Sequence, residues 1–332
     1  MNRPRFLGGL ALASAVAALP GVARADEGAV IRIASAADDD VTPVLYADRA
    51  GWFHDAGMSV RVDRLNNGTA VAAAVAAGAI DVGKVSMLAV ILAHARGVPL
   101  TIIAACSLST PAINNSALLV TKDSNIHVAR DLTGKIVSVG ALNDMQALSA
   151  QAWIDENGGN SKAVSLVEEP GPAVGVALDT NRIAAGTVVN PALNQLLATG
   201  KYRSIGRPIQ SISNRLMISA WVSNADWATK NASLVHTFSQ IVLRAGAYAN
   251  THHEQTVDLI AAFSGIEAGT VRTMARAAFA DKLDPAVIQP LIDVAAKYGA
   301  IKQRFAATDL FSPSAAGTTA LRSAAPPDEV RA

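Results

Sequence analysis

The sequence contains little of what several classes of protein need. It has one cysteine in 332 residues, Cys106, so no disulfide can form within one chain. This cysteine lies in the apolar run LTIIAACSL, where we expect a buried small side chain. Charged residues make up 17% of the chain and the formal net charge is +1, so no nucleic-acid partner is expected, because neutralising phosphates needs a basic surface. The 51% of hydrophobic residues is enough for a sizeable packed core.

The longest apolar run near the start, Phe6–Leu19, is short for a membrane span. It follows the basic head MNRPR and precedes PGVARA, an order typical of a secretory leader, and we expect cleavage after Ala25. Pro4 separates Arg3 from Arg5, which favours general secretory export over the twin-arginine route and leaves both open. No cysteine follows the leader at the new N-terminus, so no lipid anchor is expected. The sequence therefore predicts a soluble protein exported to the periplasm.

The segment GAIDVGKVS, Gly78–Ser86, resembles a phosphate-binding loop except that Val85 stands where the Mg²⁺-binding hydroxyl belongs. Such a loop connects a strand to the following helix, whereas here an alanine-rich helix precedes Gly78 and a strand runs through Gly83. We interpret Gly78 as a helix terminator and Gly83 as a small residue inside a strand. Neither a nucleotide site nor any cofactor is predicted.

Short apolar strands alternate with capped helices after the leader. A strand is predicted over Val30–Ala36 and a helix over Val44–Gly57, and the same order of elements repeats from residue 116. The region Lys230–Ile301 has a helical pattern, including a helix over 267–280. This alternation predicts an α/β fold with mostly parallel sheets covered by helices on both faces, in two similar lobes.

Four segments, in the order of a known family, carry a family resemblance. They are PVLYADRAGWFHDAGMSVRV, GTAVAAAVAAGAIDVGKVS, TKDSNIHVARDLTGKIVSVG and VVNPALNQLLATGKY. The chain resembles the periplasmic substrate-binding proteins of ABC importers, in the nitrate/sulfonate/taurine and thiamine-precursor branch. The resemblance implies a two-lobed type II periplasmic-binding fold, with lobe one at 28–108 plus 215–312 and lobe two at 109–214, joined by two crossing segments. Large apolar side chains are almost absent from 313–332, where we expect a disordered tail.

The same resemblance implies a monomeric receptor that traps a solute between its lobes and presents the closed form to an ABC permease in the inner membrane. Two positions depart from the family pattern, Ala184 and Asn190, and leave the ligand open among sulfonates, nitrate-like anions, pyrimidines and small aromatic acids. An enzyme with lyase-like chemistry on the same fold and a periplasmic sensor subunit are the alternatives. The sequence contains neither a GxSxG nor an HExxH motif, so no catalytic residue is predicted.

Candidate ligand-binding residues follow from the rule that open parallel sheets bind ligands beyond the carboxyl ends of their strands, at helix N-termini. They are Asp38, Asp39, Asp40, Asn67, Gly68, Thr69, Ser86, Met87, Asn143, Asp144, Met145, Glu169, Asn190 and Pro191. No arginine lies in these loops, so recognition by amides and hydroxyls is predicted, without an ion-pair clamp.

These candidates also have ordinary structural interpretations. The polar residues before helices are favoured as N-caps whether or not a ligand binds. The simplest interpretation of three consecutive aspartates is a solvated loop. Their position after the first strand, at the mouth of the cleft, leaves open the alternative that one of them accepts from a ligand hydroxyl or amine. Lys84 lies in a strand, so its side chain can point to either face of the sheet, into the cleft or away from it. His252 and His253 are adjacent and do not have the spacing of a metal site, so no metal is predicted.

Overall fold

The computed structural model describes residues 30–113, 115–190 and 192–315. The predicted leader, Pro191 and residues 316–332 of the predicted tail lie outside the described residues. Ala315 is fully buried in the core of lobe one, so the prediction that a disordered tail begins at residue 313 is wrong.

The described residues form short strands and helices in alternation. The strands are β1 (Ile31–Ser35), β2 (Val60–Arg64), β3 (Val82–Ser86), β4 (Leu100–Ala105), β5 (Ser107–Ser109), β6 (Ser116–Thr121), β7 (Ile136–Val139), β8 (Ser165–Glu168), β9 (Ala185–Val189), β10 (Tyr202–Gly206), β11 (Leu216–Met217), β12 (Ser219–Asn224) and β13 (Ala278–Phe279). The helices are α1 (Thr42–Arg49), α2 (Trp52–Asp55), α3 (Gly68–Ala76), α4 (Met87–Ala95), α5 (Met145–Glu156), α6 (Val174–Asp179), α7 (Ala192–Ala198), α8 (Pro208–Ile212), α9 (Ala225–Lys230), α10 (Ala232–Ala249), α11 (His253–Ser264), α12 (Ala268–Thr273) and α13 (Gln289–Lys297).

Lobe one is built on a five-stranded sheet in the order β2-β1-β3-β12-β4. Strand β1 pairs in parallel with β2 and β3, while β12 lies antiparallel between β3 and β4. The carboxyl ends of β1 to β4 therefore share one edge of the sheet. The core around this sheet includes the fully buried rings of Phe53, Trp221 and Phe238.

Lobe two is built on a second five-stranded sheet in the order β10-β6-β9-β7-β8. Strand β7 pairs in parallel with β8 and β9, and β6 runs antiparallel to β9 and β10. Separate apolar clusters pack against this sheet, one around Leu193 with α6 and α7 and one around Trp153 of α5. Both lobes thus have the predicted architecture of a mostly parallel sheet with helices packed against it.

The chain passes between the two sheets twice, after β4 and after β10. A small antiparallel sheet in the order β11-β5-β13 lies where these passages run together. The limits of the lobes at residues 108 and 214 stay predictions.

The two glycines of the phosphate-loop-like segment have the predicted roles. Gly78 follows α3 with a φ of +72°, a backbone conformation that favours glycine at a helix end. Gly83 lies inside β3, and a Cβ there would approach the side chains of Val71 and Val75 on α3 to 2.6 Å. The helix can therefore pack closely on the strand only because Gly83 has no side chain.

Two predicted helices are wrong in extent. The helix predicted over Val44–Gly57 is divided into α1 and α2, because Gly51 adopts a φ of +76°. The helix predicted over 267–280 ends at Thr273, and the chain continues as β13, which pairs with β5. In the second case a tertiary strand pairing prevails over local helix propensity.

Candidate functional site

At the carboxyl edge of the lobe-one sheet, Asn67 caps α3 as predicted. Its side-chain oxygen accepts from the Ala70 amide at 2.9 Å. Within the described residues, no acceptor takes the amide hydrogens of Gly68 and Thr69, and the Thr69 side chain is exposed. The start of α3 therefore offers two free amide donors and a hydroxyl at this edge of the sheet.

The start of α4 is less open than predicted. The Ser86 hydroxyl accepts from the Ala89 amide at 3.4 Å, which makes Ser86 the N-cap. The Met87 amide donates to the Ile218 carbonyl at 2.8 Å, and the Met87 side chain is fully buried. The prediction of a free amide at Met87 is thus wrong, because the antiparallel strand from the second crossing supplies an acceptor.

In lobe two, the segment before α5 combines a cap with exposed residues. The Asp144 carboxylate accepts from the Ala147 amide at 2.9 Å and caps the helix, while Asn143 is exposed. Met145 is partly buried against the core of lobe one. The start of α5 thus reaches across to the other lobe.

The remaining lobe-two candidates have protein partners. Glu169 forms an ion pair with Arg182, and the Asn190 side chain accepts from the Asn194 amide at 3.2 Å. Pro191 lies outside the described residues. The cap at Asn190 agrees with the prediction from the sequence, whereas the ion pair of Glu169 was not predicted.

The interpretation of the aspartate loop as solvated is wrong, since each of its three carboxylates has a protein partner. Both carboxylate oxygens of Asp39 accept from the Arg276 guanidinium, and one of them also accepts from the Ala277 amide at 2.7 Å. Both charged side chains are buried, with 12% of Asp39 and 6% of Arg276 exposed. Arg276 also donates to Thr256, so this pair ties the loop after β1 to the helices of lobe one.

Asp40 accepts from the hydroxyls of Ser107 and Ser219, at 2.9 and 2.6 Å, where the two crossings leave lobe one. The Cys106 thiol donates to the Asp40 carbonyl at 3.3 Å. Burial raises the pKa of this thiol well above its usual value. Cys106 is therefore the buried, unreactive residue expected from the sequence.

Asp38 accepts from the ammonium group of Lys84, whose side chain is only 7% exposed. The Asp40 carboxylate lies 4.0 Å from the same ammonium. Lys84 therefore points towards the aspartates, and a cation at this edge is a feature that the predicted loops did not include. The parallel register of β1 and β3 was the available signal, because it sets Lys84 beside the end of β1.

The pKa values of this cluster reflect burial and mutual charge. Burial raises the pKa of Asp38 to about 6, and the Lys84 ammonium opposes that rise. For Lys84, burial lowers the pKa, but the carboxylates of Asp40 and Asp38 outweigh it, so the pKa lies above its ordinary value. Lys84 thus stays a cation, while the pKa of Asp38, at about 6, is raised well above that of an ordinary aspartate.

A crevice of about 280 Å³ lies between the two lobes. Lobe one contributes one face of α4 and the turn after α13, and lobe two contributes α5 with the loop before it. The lining residues are Leu88, Leu92, Arg96, Leu142, Asn143, Leu148, Gln151, Leu166, Tyr298, Gly299 and Ala300. Of the predicted site residues only Asn143 is among them, with Ser86, Met87, Asp144 and Met145 in the segments next to it. The predicted residues of the other loops do not line this crevice.

Within residues 30–113, 115–190 and 192–315, no group of three or more His, Cys, Asp or Glu residues could hold a metal ion. Over the same ranges, no helix has the length and apolar character needed to cross a membrane.

The fold and sequence can be compared with known proteins. A family described as NMT1/THI5 like matches residues 38–256, which is more than half of the chain. The taurine-binding periplasmic protein of Escherichia coli (strain K12) is 24% identical over 230 residues, which cover 69% of this chain and 69% of that protein.

Solved structures share the architecture at low sequence identity. The periplasmic aliphatic sulphonate binding protein SsuA from Escherichia coli has a TM-score of 0.70 at 16% identity, covering 91% of this chain and 98% of that chain. A Candida albicans gene product described as exhibiting the generic periplasmic binding protein structural fold has a TM-score of 0.64 at 12% identity, covering 89% and 98%. The predicted periplasmic-binding-protein fold is confirmed.

Proposed function

We propose that this chain, which belongs to the NMT1/THI5-like family, is a receptor that binds a small polar or anionic solute between its two lobes and delivers it to an ABC import permease. The observation that carries the proposal is the crevice lined by α4 of lobe one and α5 of lobe two. A solute held there contacts both lobes at once. Such contacts stabilise the shut arrangement relative to the open one, which is the signal that a permease can recognise.

The carboxyl edge of the lobe-one sheet, outside the lining of this crevice, offers further polar groups for such a solute. The amide N–H groups of Gly68 and Thr69 lie at the start of α3, which is the positive end of the helix dipole. Lys84 supplies a buried cation that is balanced by Asp38 and Asp40. This mixture of donors and acceptors suits a polar or zwitterionic head group as well as a simple anion.

The names of the relatives support a first choice of ligands and a location. One is called taurine-binding and periplasmic, and another binds aliphatic sulphonates. Together with the predicted leader, these names favour a periplasmic receptor, with taurine and short alkanesulfonates as the first solutes to test. The same names and the predicted leader also favour a membrane permease as the partner.

Enzymatic chemistry has less support. The single thiol is buried, with a pKa raised away from the range in which it would act as a nucleophile. A sensor subunit would use the same trap, and the genes beside this one distinguish the two roles: permease and ATPase genes favour import, and a kinase or cyclase gene favours sensing.

Binding is tested by expressing the protein with its own leader and purifying it from the periplasm. The mature chain should begin at Asp26, as read by N-terminal sequencing. Taurine, alkanesulfonates, nitrate, pyrimidines and aromatic acids are then compared by thermal shift. A true ligand at 100 times its Kd should add about 2.7 kcal/mol to the free energy of unfolding.

Thr69→Ala tests whether the start of α3 also contacts the solute, in which case binding should weaken about fivefold, the effect of one lost hydrogen bond. Thr229→Ala is the matched control, because that exposed threonine lies on α9 and donates only to the Ala225 carbonyl. Steady turnover of a small molecule with no stabilising ligand in the panel would contradict the receptor function.

A further inference from the structure

One carboxylate of lobe one holds both of the segments that cross between the lobes. The Oδ2 atom of Asp40 accepts from the Ser107 hydroxyl at 2.9 Å and from the Ser219 hydroxyl at 2.6 Å. Ser107 begins β5 on the first crossing, and Ser219 begins β12 where the second crossing returns to the lobe-one sheet. Both serines are buried, with 4% and 2% exposed. The bases of the two crossings are therefore fixed to the loop after β1 by hydrogen bonds to a charged group, which are stronger than neutral ones.

Strand pairing extends this fixed region to the ends of β5 and β11. Leu108 pairs with Met217, and Ser109 pairs with Leu216. Strand β5 also pairs with β13, whose Phe279 lies in the core of lobe one. We therefore expect the crossings to move with lobe one as far as Ser109 and Leu216.

A cation of lobe two holds the first crossing one step further along the chain. Arg207 directly follows β10, and its guanidinium donates to the Pro111 carbonyl at 3.0 Å and to the Ile113 carbonyl. After Arg207 comes α8, which packs against α5 of lobe two. The first crossing thus has Thr110 between its two held parts, and the second crossing has residues 213–215 between α8 and β11.

We propose that Asp40 and Arg207 are the two anchors of a hinge, which hold the crossings to lobe one and to lobe two and confine the bending between the lobes to Thr110 and residues 213–215. The inference rests on the proposed function, since it concerns how the lobes close on a solute, and it adds the residues that define that movement. A hinge needs a few residues that change their backbone angles between two bodies that stay rigid. Because Asp40 also belongs to the loop after β1, it links a predicted ligand loop to the hinge.

The test is pulsed electron paramagnetic resonance on the full chain purified from the periplasm without solute. Spin labels at Thr229→Cys on α9 and Val176→Cys on α6 are exposed and lie on different lobes, while Cys106 is 2% exposed and too buried to be labelled. Ser219→Ala should raise the population of distances outside the wild-type range about fivefold, the effect of one lost hydrogen bond. Arg207→Gln should change the distances in the same way. Small-angle scattering measures the radius of gyration as an independent check.

Each anchor variant has a matched control of the same chemistry. Ser223 is also buried on β12, and it donates to the Asp81 carbonyl at 2.6 Å, near the end of the strand away from the crossing. Arg203 lies on β10 and donates to the carbonyls of Ser124 and Ile126, both at 2.8 Å, in a loop that is not a crossing. Ser223→Ala and Arg203→Gln should lower the urea midpoint to a similar extent and leave the distances unchanged.

If Ser219→Ala and Arg207→Gln leave both the distances and the radius of gyration as in the wild type, the anchors are wrong. If the controls broaden the distances equally, the effect is a general loss of stability and the anchors are again wrong. A change in one anchor variant alone supports that anchor and overturns the other. Because no solute is added, these outcomes do not depend on the receptor function, which fails separately if no solute of the thermal-shift panel binds.

Discussion

Replacing Lys84 by methionine should destabilise the protein, because the change keeps most of the buried stem and removes the cation that faces Asp38 and Asp40. The ammonium contacts Asp38 and lies 4.0 Å from Asp40. One charge pair at that separation is worth about 4 kcal/mol at an effective dielectric constant of about 20. Removing one partner of a buried pair costs about 3–5 kcal/mol.

Solvent reduces this cost. The Asp38 side chain is 43% exposed, so water screens part of its charge, and we expect a loss of about 2 kcal/mol in the free energy of unfolding at about pH 7.5. Urea unfolding followed by circular dichroism measures it. The double variant Lys84→Met, Asp38→Asn should recover about half of the loss, because it also removes an unpaired carboxylate.

The effect should depend on pH in a defined direction. In the wild type the pKa of Asp38 is raised to about 6, and without the Lys84 ammonium it should rise further. A carboxyl group whose folded pKa lies above its unfolded value of about 3.9 binds a proton more tightly in the folded protein. Folding therefore gains stability as the pH falls through about 6 towards 4, and loses it as the pH rises.

The cost of Lys84→Met should accordingly be smaller at about pH 5 than at about pH 7.5. An equal cost at both values would refute the role assigned to Asp38. No measurable cost at either value would refute the whole account of the cluster.

Three further changes test other parts of the structure. Gly83→Ala should cost about 1–3 kcal/mol in urea unfolding, because its Cβ would lie 2.6 Å from two valine side chains of α3, and an unchanged midpoint would contradict that close packing. Asp39→Asn should cost about 3 kcal/mol, because it leaves the buried Arg276 without its counter-charge, and a neutral result would mean that the pair does not hold the loop. Tyr298→Phe removes the hydrogen bond to Asp155 between α13 and α5 and should cost about 1 kcal/mol, while small-angle scattering shows whether the ligand-free protein becomes more open.

Much of the fold could be predicted from local sequence. Several features depend on residues that lie within a few positions of one another. They are the apolar strands, the caps at Asn67, Ser86 and Asp144, and the helix end at Gly78. Hydrogen bonds between a cap and its own first turn are local, so the residue types determine them. Their order along the chain was sufficient to identify the two-lobed architecture.

The candidate site could be predicted only in part, because its partners are distant in sequence. Asp39 meets Arg276, 237 positions away, and Asp40 meets Ser219, 179 positions away. The sequence around the three aspartates predicts a solvated loop, since nothing near them in sequence neutralises their charge. The start of β13 had a helical pattern for the same reason, as its partner strand β5 lies far back in the chain.

The sequence by itself determined that the chain would form alternating strands and capped helices in two lobes, because those choices depend on neighbouring residues. Only the tertiary structure decided that Lys84 faces the aspartates and that α4 and α5, from different lobes, line one crevice. Burial and charge pairing depend on which surfaces meet after folding. These residues therefore acquired a defined role only when separate segments of the chain came together.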